Sequence, residues 1–433
     1  EQLDQVLQVC AQFIQTDENH ALVSVLIIRC LIKLARNYEF NREVIPVIGQ
    51  FFTPITQLIL TNLSHEGLIN AALFIHTALH AASKYATTFN SFAPLPEIEN
   101  FAQIITFIIE QPAFTNPPFL DKDAIKLAYV LFDSLPPPVS ASLLMSIAAH
   151  TIKGSDFRTT SESFLFICSA LTSDDIWSLI NDEQNQINLV AGLFFRTFIL
   201  TPQEVLDGTT DLHNFLSSTE VSACDCRTPR NGAVPAFVNA LLRPGRASLA
   251  HYASEIIILQ LESFRESGDI GRAYGALQFA GFALKNAPKE FAIPTAQNIY
   301  QIALSMESIN NNLFTAGIFQ FIGLFPEAFT DVAILYRCFE SIIANAPPAT
   351  MNFYDENPQS DLVQYFAAFA AANLLTNFRV VSKEQPTICN EIRQEVISNN
   401  SIQPLLSNVL RICKMYPTDQ SAVTIRYFSD FFI

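Results

Sequence analysis

The stretch Ser267-Gly268-Asp269-Ile270-Gly271-Arg272-Ala273-Tyr274-Gly275-Ala276-Leu277-Gln278-Phe279-Ala280-Gly281-Phe282-Ala283-Leu284 carries a helix end, a helix start and a packing seam in one short run. Gly268 suits the left-handed conformation that closes a helix, and Asp269 is a side-chain cap for the next one. Ile270, Tyr274, Leu277, Gly281 and Leu284 follow at spacings of four, three, four and three, which place them on one helical face. Gly271, Gly275 and Gly281 leave room for a neighbouring helix to approach closely. The link between the two helices is so short that they must lie side by side, antiparallel.

The same grammar runs outward in both directions. The preceding helix, about 247 to 266, turns Ile257, Leu261 and Phe264 to one side and Glu255, Glu262 and Glu266 to the other, because offsets of seven and eleven residues nearly close whole turns. Thr201-Pro202-Gln203-Glu204 combines a capping Thr, Pro at the first helical position and Glu three residues after the cap. Prolines set further breaks at Pro94 and Pro96, Pro117-Pro118, Pro136 to Pro138, Pro347-Pro348 and Pro358. Helix pairs recur at roughly the forty residues of HEAT-type repeats. The expected fold is therefore all-α, an α-α superhelix of the HEAT/armadillo-like solenoid kind with about ten helix pairs. With no composition break in 433 residues, one continuous solenoid over 1–433 is expected, with an irregular loop near 217–232 around Cys224-Asp225-Cys226-Arg227.

Composition agrees. Half the residues are hydrophobic, and 37 Phe against 13 Gly favours buried helix seams over turn-rich β structure. The net charge of −16 argues against direct nucleic-acid binding, which depends on clustered Lys and Arg, and favours a basic protein partner. The eight cysteines are mostly far apart and mostly in apolar helix patterns, as expected of reduced thiols. The chain opens inside a helical pattern at Glu1-Gln2-Leu3-Asp4, as a segment of a longer chain would. No membrane span is expected. Val44 to Ser64 and Ser134 to Ile152 carry prolines, Leu362 to Phe378 holds Gln364, Asn373 and Asn377, and Ala21 to Ala35 holds Arg29 and Lys33.

The chemistry-bearing motifs are sparse. Phosphate-loop, dinucleotide, zinc-protease and nucleophile-elbow strings are absent, so neither a catalytic centre nor a cofactor is expected. His76 and His80 lie four apart, with His65 nearby, but two histidines make half a zinc site. Cys224 and Cys226, with His213 upstream, lack two further ligands at recognisable spacing. Glu204, Asp207 and Asp211 gather at a helix start, where carboxylates also stabilise the helix itself. The stripe Glu255, Glu262 and Glu266 is the strongest candidate for partner binding, against the alternative of a solvated outer face.

From about Thr201 onward, the order of features resembles the central part of the β-karyopherins, especially the importin seven and eight type and the exportin that recycles importin-α. The residues that carry the resemblance are Asn188 to Phe195, then Pro202, Glu204, Asp207 and Asp211, then Arg227 to Arg230, then Gly275 to Gly281. Asn312 to Phe319, Tyr365 to Leu375, and Ile402-Gln403-Pro404-Leu405-Leu406 with the helix through Lys414 follow. The pattern departs from the family at Asp207, which Gly208-Thr209-Thr210 follows in place of basic residues. The resemblance implies a monomeric nuclear transport receptor that shuttles between cytoplasm and nucleus, binds basic cargo proteins, responds to the GTPase Ran and engages Phe-Gly nucleoporins. A HEAT scaffold of the phosphatase-regulatory, coat or chromosome-associated type is the alternative.

Overall fold

A computed structural model describes residues 2–14, 18–37, 44–111, 118–152, 157–220, 228–346, 356–381, 387–399 and 401–432. The chain is all-α, and no strand occurs among the described residues. It divides into two compact units, one formed by Glu1–Asn185 with Ala223–Asn239, the other by Gln186–Ser222 with Ala240–Ile433.

In the first unit the helices are α1 (Gln2–Ile14), α2 (Glu18–Asn37), α3 (Val44–Gln50), α4 (Phe52–Thr61), α5 (His65–Asn70) and α6 (Ala72–Phe89). They continue with α7 (Ile98–Glu110), α8 (Pro118–Leu131), α9 (Pro137–Ile152), α10 (Phe157–Thr172) and α11 (Asp174–Ile180). Two rows result: α2, α6, α8 and α10 pack one on the next, and α4, α7, α9 and α11 do the same beside them. This is the stacking that an amphipathic helix pair demands, because neither helix can cover its apolar face alone. Buried Leu127, Leu131, Phe166 and Ile167 fill the seam between α8 and α10.

The second unit continues from α12 (Glu183–Ile187) through a π-helical turn, Asn188–Phe195, into α13 (Arg196–Phe198), α14 (Pro202–Thr210) and α15 (Leu212–Thr219). α16 (Pro229–Leu241) belongs through Asn239 to the first unit, and the second resumes with α17 (Ser248–Ser267), α18 (Ile270–Lys285), α19 (Lys289–Leu304), α20 (Asn312–Leu324) and α21 (Val332–Ala344). The unit closes with α22 (Pro358–Val381), α23 (Ile388–Ser398), α24 (Ile402–Met415) and α25 (Asp419–Phe432). Here α18, α20, α22 and α25 form one row, while α17 packs on α19 and α21 on α24. A third layer covers the first row: α13 and α14 lie on α18, and α14 and α15 lie on α22.

That third layer explains a departure from the expected one-sided stripe on α18. Gly271, Ala273, Tyr274, Gly275, Ala276, Leu277, Gln278, Phe279, Ala280, Gly281, Ala283 and Leu284 are all buried, so the helix is enclosed all round. α20 and α22 are enclosed likewise. The small residues act as expected. A Cβ on Gly275 would lie 2.5 Å from the Phe198 carbonyl oxygen, and Leu200 donates its amide to the Gly271 carbonyl at 3.2 Å. Gly281 instead receives Leu324 of α20.

Side-chain amides tie these layers together. Gln278 donates to the Thr219 carbonyl at 2.8 Å, Gln364 to Ile342 at 2.7 Å and Asn377 to Pro326 at 3.2 Å. The first two satisfy carbonyls that a helix end leaves without an intrahelical partner, while the Pro326 carbonyl also accepts from the Phe329 amide at 3.0 Å. Of the polar residues that break the apolar run Leu362 to Phe378, Gln364 and Asn377 are thus interlayer ties, whereas Asn373 donates to the Phe369 carbonyl of its own helix at 2.9 Å.

The expected punctuation is present. Gly268 has φ +66°, Asp269 accepts from the Arg272 amide, and Thr201 and Glu204 form a reciprocal capping box. Of the loop expected near 217–232, Ser217–Thr219 end α15 and Pro229–Gly232 begin α16, and 221–227 lie outside the described residues, as do Pro347 and Pro348. By length and composition alone, Val44–Thr61 and Glu183–Thr210 are apolar enough to cross a membrane, with Thr159–Thr172 and Asp174–Ile180, bent by 89°, as a third case. In the structure Ile45, Ile48, Phe52, Ile55 and Ile59 of the first stretch are buried in the first unit.

Gly275→Ala is expected to lower the unfolding free energy by about 1–3 kcal/mol, because the added methyl meets backbone that cannot yield. The shift in urea midpoint at unchanged denaturant slope measures it.

Candidate functional site

α17 carries the expected acidic stripe. Glu255, Glu262 and Glu266 are exposed, while Ile257, Leu261 and Phe264 are buried beneath. Leu259 lies four residues after Glu255 and three before Glu262, in the same narrow arc, and is 60% exposed. The face is therefore an exposed leucine bordered by three carboxylates. His251, one turn earlier, lies 3.3 Å from Glu255 and extends the strip. Leu259 was legible from the same helical arithmetic that located the glutamates.

Glu204, Asp207 and Asp211 are occupied by local bonds. Glu204 accepts from the Thr201 amide at 2.7 Å, Asp207 from the Gln203 side chain at 2.6 Å, and Asp211 caps α15 through the Asn214 amide at 3.1 Å. These bonds hold the covering layer in shape over α18 and α22.

The two histidine candidates separate. His76 pairs through Nδ1 with Asp123 of α8, a carboxylate 47 residues away that sequence spacing could not supply. The ring of His80 lies 6.2 Å from that of His76. Burial first, then the positive field of Arg29, holds His80 below its ordinary value, with Asp123 opposing and Lys84 and His76 reinforcing. No cluster of three or more metal-ligating side chains occurs among the described residues. The side chain of His65, together with Cys224 and Cys226, lies outside the described set. His213 stands 3.7 Å from Glu356 and 4.7 Å, ring to ring, from Tyr416.

Among the described cysteines none is paired. Burial pushes the Cys338 and Cys413 thiols up to about 12, which leaves them protonated and unreactive.

A second polar centre joins α15, α22 and α24. Arg411 and Asp361, both fully buried, form an ion pair, and Gln364 also accepts from Arg411. Asp361 further accepts from the Asn357 amide at 2.9 Å and the Tyr416 hydroxyl at 3.0 Å, so its carboxylate is well coordinated, while Arg411 Nε is left without a hydrogen-bond partner among the described residues. Beside it opens a pocket of about 400 Å³ between His213, Leu216, Glu220 and Thr418. Burial raises the Glu220 carboxyl above its ordinary value, against hydrogen bonds from Thr418 and Tyr365 that lower it. A second opening, a groove of about 580 Å³, runs between α19 and α21 and is lined by Tyr300, Leu304, Phe329, Ile334 and Arg337.

The fold and these surfaces define a helical-repeat protein with solenoid-like packing in each unit and no assembled catalytic constellation among the described residues. No known family and no curated protein matches the chain. Among solved structures, a crystal structure of an engineered protein aligns over 98% of each chain at 12% identity and a TM-score of 0.34, a likeness too weak to carry any argument.

Two outcomes follow from the buried centre. Arg411→Met leaves Asp361 buried without its counter-charge and is expected to cost about 3–5 kcal/mol in urea unfolding. For Glu220 the folded state favours the protonated carboxyl. Its contribution to stability is thus greatest below the ordinary value of 4.5 and falls as pH rises through the raised value. Glu220→Gln is expected to remove that fall and to stabilise the protein at neutral pH, read from unfolding midpoints across pH 4–8.

Proposed function

We propose that this chain is a protein-binding helical-repeat segment of a nuclear transport receptor. On this reading the α17 strip holds a basic, amphipathic segment of cargo, and Ran in its GTP state sets whether cargo is held. The observation that carries the binding reading is Leu259, 60% exposed and bordered by Glu255, Glu262 and Glu266. A cargo helix with one apolar side chain and flanking Lys or Arg matches it, because the leucine supplies buried area and the carboxylates supply orientation and steering. In the same reading the groove between α19 and α21 receives a Phe side chain from a Phe-Gly nucleoporin, with Tyr300 and Phe329 as the aromatic walls.

The order of features from Thr201 onward supports transport over a static scaffold. Direct nucleic-acid binding is disfavoured by the net charge of −16. The protein would then shuttle between cytoplasm and nucleus as a monomer, with no cofactor.

Two experiments test the proposal. Partners captured from cell extract, with and without Ran bound to a non-hydrolysable GTP analogue, are expected to leave or to appear on addition of Ran. A partner set indifferent to Ran would leave a HEAT scaffold instead. The triple charge reversal Glu255→Lys, Glu262→Lys and Glu266→Lys is expected to weaken a basic partner by roughly tenfold at low salt and to flatten the salt dependence. Unchanged affinity would make the strip a solvated face.

A further inference from the structure

In the first unit, α2 and α6 face each other across a pocket of about 220 Å³. Arg29, Lys33 and Arg36 line it from α2 at spacings of four and three, and His80 and Lys84 line it from α6 at a spacing of four. Each set occupies one helical face, so the two rows of cations meet across the groove. Ile32, 3% exposed, lies at its apolar base. Among the described residues no carboxylate comes within 4 Å of Arg29, Lys33, Arg36 or Lys84. Asp123, the nearby acid that acts on His80, is engaged by His76.

This gathering runs against the composition of the chain, which has 41 acidic residues and 25 basic ones. Placing four cations together, with no carboxylate paired to any of them among the described residues, costs repulsion that a few acidic substitutions would relieve. After burial, the positive charges of Arg29 and Lys84 also push His80 below its ordinary value.

We propose that the α2–α6 pocket binds a compact anion carrying about two phosphate groups. Charge sets the number: phosphate monoesters carry roughly −1.5 to −2 each at neutral pH, so about two balance four fixed cations. Size sets the compactness, because pockets for drug-sized ligands span about 300–1,000 Å³ and this one is smaller. Arg29 and Arg36 offer forked donors that meet phosphate oxygens in pairs, and Lys33 and Lys84 add point charges. The anion would be either a free diphosphate or bisphosphate or the head group of a lipid. The site lies wholly within the first unit and does not depend on the transport reading.

The test is calorimetric titration of the whole chain with inorganic pyrophosphate, alongside flotation with phosphatidylcholine vesicles with and without a phosphatidylinositol bisphosphate. Saturable pyrophosphate binding is expected. It should weaken by about tenfold or more in Arg29→Gln/Lys84→Gln and in Lys33→Gln/Arg36→Gln, and be unchanged in Lys285→Gln/Lys289→Gln. All are exposed substitutions, and circular dichroism checks that each variant is folded. Flotation only with the bisphosphate lipid, competed by pyrophosphate, assigns a lipid head group; pyrophosphate binding without flotation assigns a free ligand. Absence of saturable binding, or equal loss in the control variant, or no loss in folded pocket variants, overturns the proposal.

Discussion

Three helices in the second unit, α18, α20 and α22, are apolar on every side, and this constraint organises what surrounds them. A helix with a single apolar stripe is satisfied by one neighbour, but one without a polar face must be enclosed. Stacking within the row covers two sides, and the α17–α19 and α21–α24 packing lies alongside. The remaining side is closed by α13 to α15, whose chain passes so near α18 that only glycine fits at 275. The capping box at Thr201 and the Asp211 cap belong to this requirement, because they fix the short helices that do the covering.

Enclosure creates a second difficulty, since helix ends within such layers leave carbonyls out of reach of water. Gln278 and Gln364 answer it by donating to the carbonyls of Thr219 and Ile342. Arg411 and Asp361 follow the same logic with charges. Their burial is made tolerable by Gln364, which accepts from Arg411, and by Tyr416 and the Asn357 amide, which donate to Asp361.

Two surface patches carry opposite local charge. The second unit shows carboxylates around an exposed leucine on α17, and the first gathers cations between α2 and α6. The two surfaces suit ligands of opposite sign, which a net charge of −16 by itself conceals.

The helical class, the Gly268-Asp269 boundary, the Thr201 capping box and the face shared by Glu255, Glu262 and Glu266 were all legible in the sequence, because each depends on residues within a turn or two of one another. Leu259 and the Arg29, Lys33, Arg36 spacing went unread, although the same local arithmetic places each on one helical face. What joins distant segments was not legible: Asp123 against His76, Glu220 against Tyr365, Lys84 opposite Arg29, and the covering of α18 that turns its stripe into an all-round core. Periodicity fixes which side of a helix is apolar and where the helix stops. Which helix comes to lie against that side is set by packing of the whole unit, and only the tertiary structure decides it.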